Sequence, residues 1–192
     1  MHMIKIAVLY HSGFGHTKQV AKLLAEKLTH QQTLVFLIDC THAHKKWEVL
    51  HTCDTIVFGC PTYFGTVSAG FKQFMEKTGS FWYRQLWKDK FAAGFTVSST
   101  IGGDKQHTLQ TIAIFAAQHG MHWINLGILP RFCGDMQTEG QNRLASYQGL
   151  MVQSDNTQVE VRTFHPGDLL TLELFAERIL QINLKNHIKN NS

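Results

Sequence analysis

Short runs of apolar residues alternate along this chain with longer stretches whose apolar positions recur every three or four residues. The short runs are residues 4–10, 33–39, 55–60, 91–98 and 122–129. A strand that is apolar on both faces has to be covered on both faces, which happens mainly where helices cross over a parallel sheet. The longer stretches supply those helices. In residues 17–30, Val20, Ala21, Leu24 and Leu28 share one helical face, and in 105–119 Leu109, Ile112, Ala113 and Ala116 do the same. Residues 68–77 form another candidate. A last helix over 168–187 carries Leu172, Phe175, Ala176, Ile179 and Ile182 on one side, with Pro166 and Asp168 at its start. The pattern predicts an α/β doubly wound domain, and periodicity alone does not choose between the strand orders that such domains use.

The connections carry the chemistry. After the first strand, Tyr10-His-Ser-Gly-Phe-Gly-His-Thr17 opens a helix. Gly13 and Gly15 let the backbone bring successive N–H groups close to a ligand, Ser12 and Thr17 add hydroxyls, and the helix N-terminus adds positive potential. The loop lacks the Gly-Lys-Ser/Thr of a triphosphate cradle, and Gly13-x-Gly15 is not completed to G-x-G-x-x-G. Hydroxyls and amides without a lysine suit a monophosphate.

After the third strand comes Gly59-Cys-Pro-Thr-Tyr-Phe-Gly65, where Tyr63 and Phe64 offer aromatic faces to a planar ring. After the fourth comes Ser98-Ser-Thr-Ile-Gly-Gly-Asp104, small and rich in donors. Its amides suit the polar edge of a heterocycle and the negative charge that reduction puts there. In a sheet of order 2-1-3-4-5 the first two of these loops flank the switch point and open onto one crevice.

Composition narrows the classes. The 192 residues, 44% hydrophobic and 17% charged, suit one globular domain, read as residues 1–188 with a flexible tail over 189–192. Residues 131–167 are too long and polar for a simple connection and read as an inserted hairpin or irregular excursion. The net charge of +4 is scattered, without the clustered arginines of a nucleic-acid surface. No leader and no membrane-length apolar stretch is evident, and Cys40, Cys53, Cys60 and Cys133 form no C-x-x-C pair, so the expected location is cytoplasmic. His42-x-His44 and His119-x-x-His122 lack a third ligand at metal spacing, and no metal is expected.

Taken together, Ser-Gly-Phe-Gly-His-Thr, Phe-Gly-Cys-Pro-Thr-Tyr-Phe-Gly, Phe-Met-Glu-Lys-Thr-Gly-Ser-Phe-Trp, Ser-Ser-Thr-Ile-Gly-Gly and Gln-His-Gly-Met stand in the order found in the flavodoxin superfamily. Over residues 4 to about 130 the chain resembles its tryptophan-repressor-binding-protein (WrbA) type of NAD(P)H:quinone oxidoreductase. The resemblance implies a flavodoxin-like five-stranded parallel sheet of order 2-1-3-4-5 with helices on both faces. It also implies FMN, with Ser12, Phe14, Gly15, His16 and Thr17 around the phosphate. Pro61, Thr62, Tyr63, Phe64 and Gly65 would line the flavin, and Ser98, Ser99, Thr100, Gly102 and Gly103 would face its ring and ribityl chain. His119 matches the catalytic position over the flavin, and Trp82 an aromatic that walls the site, sometimes across a subunit interface. A homodimer or homotetramer is expected on the same ground. Two departures stand out: Tyr63 where the family commonly has arginine, and Asp104-Lys105 at the usually Gly-rich end of the third loop.

The function so implied is two-electron, ping-pong transfer from NADH or NADPH through FMN to a quinone or similar small acceptor. Its competitors are a flavodoxin-type electron carrier to protein partners and a non-catalytic binding or regulatory module. Carriers are characteristically acidic, whereas this chain is basic.

Overall fold

The computed structural model describes residues 3–131, 140–155 and 164–190. In chain order they run β1 (Ile4–Tyr10), α1 (His16–Leu28), β2 (Thr33–Asp39), a 3-10 turn (Cys40–Lys45), α2 (Trp47–Thr52), β3 (Thr55–Tyr63) and β4 (Thr66–Val67). There follow α3 (Ala69–Lys77), α4 (Gly79–Tyr83), β5 (Phe91–Ser98), α5 (Lys105–Gln118), β6 (His122–Trp123), β7 (Leu150–Gln153) and α6 (Pro166–Asn190). The sheet order is β2-β1-β3-β5-β6, and those neighbours are all parallel. This is the expected order 2-1-3-4-5, because β4 is only a short antiparallel return on the end of β3.

The sheet divides the core into two layers, as alternation along a strand requires. Ile4, Ile6, Val8 and Tyr10 of β1 point to one side, where they meet Val20, Leu24 and Leu28 of α1 and Phe175 and Ile179 of α6. Ala7 and Leu9 point to the other, toward Phe71 and Phe74 of α3 and Ile112 and Phe115 of α5. Trp87, fully buried, sits in this second layer with its ring centroid within 6.5 Å of those of Phe58, Phe74, Phe81 and Phe115.

The expected fifth strand over 122–129 is corrected. Only His122 and Trp123 pair with β5, opposite Phe91 and Ala92. The Ile124 amide still donates to the Ala92 carbonyl (2.7 Å), but that of Leu126 turns away to Tyr147 (3.0 Å). The outer edge of β5 is then taken up again by β7, with Phe95–Ser98 paired to Leu150–Gln153. Ile124 and Leu126 are apolar for the core they enter, not for a ladder. The sheet's fifth position is therefore filled in two pieces with an excursion between them, part of which lies outside the described residues.

Candidate functional site

Parallel strands deliver all their carboxyl ends to one edge of the sheet, and the loops after β1, β3 and β5 meet there. In the first loop, Gly15 adopts φ 100°, a left-handed conformation that lets the chain turn straight into α1. The Ser12 hydroxyl oxygen accepts from the amides of Gly15 (3.1 Å) and Lys18 (3.2 Å), which fixes the loop and points its own O–H outward. Thr17, in the first turn of the helix, is buried.

The second loop begins later than expected, because β3 runs on to Tyr63 before turning through Phe64 and Gly65 (φ 49° and 79°) into β4. Two successive positive φ values make a tight hairpin that matches strand twist. Thr62 is locked from behind: its hydroxyl lies 2.8 Å from those of Thr96 and Thr108, and that of Thr96 donates to the Cys60 carbonyl. The Tyr63 ring meets Phe14 edge-on, with centroids 6.2 Å apart. Burial pushes the Cys60 thiol up to about 12, so it stays protonated and acts as an apolar filler beneath the loop.

The third loop is held by its carbonyls. That of Ser98 accepts from the Ser154 amide (3.0 Å), and that of Ser99 from the Gln153 side chain (2.9 Å). Those of Thr100 and Ile101 accept from the Lys105 ammonium, and that of Gly102 from the Lys105 amide. Gln153 is in turn fastened to a buried ion pair. Arg143 Nε donates to Asp168 (2.8 Å), its terminal nitrogen to both Asp168 (3.0 Å) and Gln153 (2.8 Å), and the Gln153 amide donates to Asp168.

Between the loops is a cavity of about 480 Å³, within the range of cofactor sites. Its walls are Ser12, Phe14, His16 and Thr17 from the first loop, Pro61, Thr62 and Tyr63 from the second, and Val97, Ser98 and Ser99 from β5 and the third. Ser154, just after β7, completes it. The Ser98 Oγ is buried there with no hydrogen-bond partner among the described residues. Gly15, Phe64, Gly65, Thr100, Gly102 and Gly103 belong to the same loops but not to the cavity wall. Phe14 and Phe64 are exposed at 78% and 108%.

Two expected residues are not brought to this crevice. His119 follows α5, whose 14 residues carry the chain roughly 20 Å back from the third loop. Its imidazole is 1% exposed, wedged between Trp87 and Phe115 with ring centroids 4.7 Å from each. The Thr78 hydroxyl donates to the Met75 carbonyl (2.7 Å), so His119 Nε2, 3.0 Å away, is the donor to Thr78. Burial holds the imidazole down to about 4, hence neutral. Within one chain, then, His119 packs against Trp87 and Phe115 and does not line the crevice. Trp82, half exposed on α4, is likewise absent from the cavity wall.

Sequence reasoning missed Val97, Ser154 and the clasp formed by Lys105, Gln153, Arg143 and Asp168. Lys105 and Asp168 stood in the sequence as helix-start residues, whereas nothing local marked Arg143 or Gln153 as partners of a loop some 50 residues away.

Comparison with known proteins follows the same lines. The family model for a flavodoxin domain matches residues 7–165. The chain is 36% identical over 186 residues to "Flavodoxin FldP" of Pseudomonas aeruginosa, covering 96% of this chain and 100% of that one. It is 28% identical over 152 residues to an "NAD(P)H dehydrogenase (quinone)" of Sinorhizobium fredii, covering 70% and 75% respectively. Among solved structures, a flavodoxin, WrbA-like protein from Agrobacterium tumefaciens superposes with a TM-score of 0.73 at 32% identity, covering 95% of this chain and 98% of that one.

Proposed function

The chain belongs to the flavodoxin domain family, and on that premise we propose that it binds FMN and passes electrons from NADH or NADPH to a small quinone-like acceptor. The observation that carries this reading is the Ser98 hydroxyl, buried in the cavity wall without a partner, where three loops converge. A buried hydroxyl left unpaired costs about 1–3 kcal/mol, so its place in the wall suits a ligand that bonds to it.

The cradle fits a flavin mononucleotide. The free end of the Ser12 hydroxyl, the Thr17 hydroxyl and the amino end of α1 would hold the phosphate. Pro61, Thr62 and Tyr63 would wall the ring, with Ser98 and Ser99 as donors to its polar groups. Phe14 and Phe64 at the mouth would keep water from the ring face. When bound, FMN supplies the redox chemistry, taking hydride from the nicotinamide and giving electrons to the acceptor. The chain's own part is orientation, desolvation and the support of negative charge by the third loop.

The names of the relatives give the reaction class. Quinone reduction is the printed activity of the Sinorhizobium relative, and it transfers here as a proposal. The 36% identity to a flavodoxin favours a second reading, an electron carrier to protein partners, against which stands the net charge of +4. Exposed Trp82 and Tyr83 on α4 support self-association into a homodimer or homotetramer in which Trp82 walls a neighbour's site. The described cysteines Cys40, Cys53 and Cys60 are free thiols, and with them we place the protein in the cytoplasm.

The test is the visible spectrum of the purified protein with FMN, before and after anaerobic NADH or NADPH. Bleaching in a single two-electron step, reversed by benzoquinone, is the expected result. Bound flavin inert to both nucleotides would favour the carrier, and failure to bind FMN would refute both.

A further inference from the structure

The carbonyls of Ser98, Ser99, Thr100, Ile101 and Gly102 all accept hydrogen bonds from the protein, as described above. In a trans peptide the N–H points opposite to the C=O, and the described chain has no cis bonds. Turning these carbonyls inward therefore turns the following amides outward. None of the amides of Thr100, Ile101, Gly102 and Gly103 has an acceptor among the described residues, and all four residues are exposed at the rim of the crevice. Such a row of outward amides is an anion-binding surface.

Lys105 makes this arrangement unusual. It is only 1% exposed, yet its ammonium supplies the donors for two adjacent carbonyls and its amide the donor for a third. Burial brings the ammonium down to about 8, Asp168 opposing that shift and Arg143 adding to it, so it remains charged at neutral pH. A neutral side chain could hold carbonyls; a buried cation also polarises the peptides whose amides face the ligand. Nothing in the chemistry of loop closure requires that charge.

Building on the FMN reading, we propose that Lys105 is a positioning residue that presents the third-loop amides to the flavin and, through its charge behind them, favours the flavin's negatively charged, reduced form. The charge departs from the Gly-rich end usual at this place in the loop, and it gives this chain a more oxidising site than a neutral residue would.

The experiment titrates the full-length protein with FMN by quenching of flavin fluorescence, and measures the two-electron midpoint potential of the bound flavin against an indicator dye. Lys105→Met should weaken binding of oxidised FMN about tenfold, the worth of hydrogen bonds to a charged donor. It should weaken binding of the reduced form about tenfold further, which lowers the potential by about 30 mV. Lys105→Arg should restore most of the potential. Gln153→Met, which frees the Ser99 carbonyl without removing a charge, should weaken both redox forms alike and leave the potential in place. If Lys105→Met does not accumulate folded, Lys105→Gln takes its place with the same two readings. A folded neutral variant with the unaltered affinity and potential overturns the assignment while the FMN reading stands. An unaltered protein that binds no FMN removes both.

Discussion

The Tyr63 hydroxyl occupies the space that a side chain on Gly13 would need: a Cβ there would lie 2.5 Å from the phenolic oxygen, with the next ring atoms at 3.5 Å. The first and second loops thus meet at that oxygen as well as through the Phe14 and Tyr63 rings, and these contacts set the width of the crevice between them.

Gly13→Ala should push Tyr63 off the loop and weaken FMN binding about tenfold, while the melting temperature moves little because the loops are at the surface. Since the hydroxyl alone makes the clash, Tyr63→Phe in the same chain should recover most of the loss. Fluorescence titration of the two single variants and the double variant gives the coupling. Additive losses would mean that the contact does not set the fit.

Ser98→Ala should have opposite effects on the two states of the protein. Without ligand it removes an unsatisfied buried hydroxyl, so the free protein should be unchanged or up to about 1 kcal/mol more stable. With FMN it removes a donor and should cost several-fold in affinity. Urea unfolding of the free protein beside a flavin titration tests both, and a destabilised free protein with normal affinity would contradict the cavity's assignment.

His119 should make the protein acid-sensitive. Its folded value of about 4 lies below the 6.5 of an unfolded histidine, so between these values the unfolded chain binds more protons. Stability is therefore greatest above pH 6.5 and falls as pH drops toward 4. His11 and His51, also lowered chiefly by burial, add in the same direction. Replacing His119 by Gln should flatten the decline measured by urea titration between pH 7 and 4.5. An unaltered slope would mean that the imidazole is not buried neutral.

The thiols of Cys40, Cys53 and Cys60, each raised to about 12 by burial, should resist iodoacetamide at pH 8 in the folded protein. Peptide mapping after a short pulse should find them labelled only when denaturant is present. Rapid native alkylation of Cys60 would give it an exposed, reactive place beside the crevice that the fold denies it.

What was legible in the sequence follows from locality. The alternation of apolar strand and amphipathic helix gave the parallel sheet, and the order of Ser12 to Thr17, Pro61 to Gly65 and Ser98 to Gly103 gave the loops at one edge. Within such a loop, residue type and backbone freedom determine much of the geometry. The fifth strand was misread because Ile124 and Leu126 look the same whether they face a ladder or a core. The burial of His119 left no trace in its motif, because α5 carries it away from the third loop of the same chain and Trp87, from a distant part of the sequence, encloses it together with Phe115. The clasp of Gln153 on Ser99 spans 54 residues and leaves no local trace in either segment.

That same clasp sets an order of assembly. During synthesis the strands β1, β3 and β5 and their three loops emerge first, but the carbonyls of Ser98 and Ser99 stay unpaired until Gln153 and Ser154 leave the ribosome. Gln153 in turn waits for Asp168 at the head of α6. A nascent chain cut short before that helix would hold a nearly complete sheet with a slack third loop. The capacity to capture a ligand would therefore arrive late in translation, together with the α6 residues Phe175 and Ile179 that close the α1 side of the core.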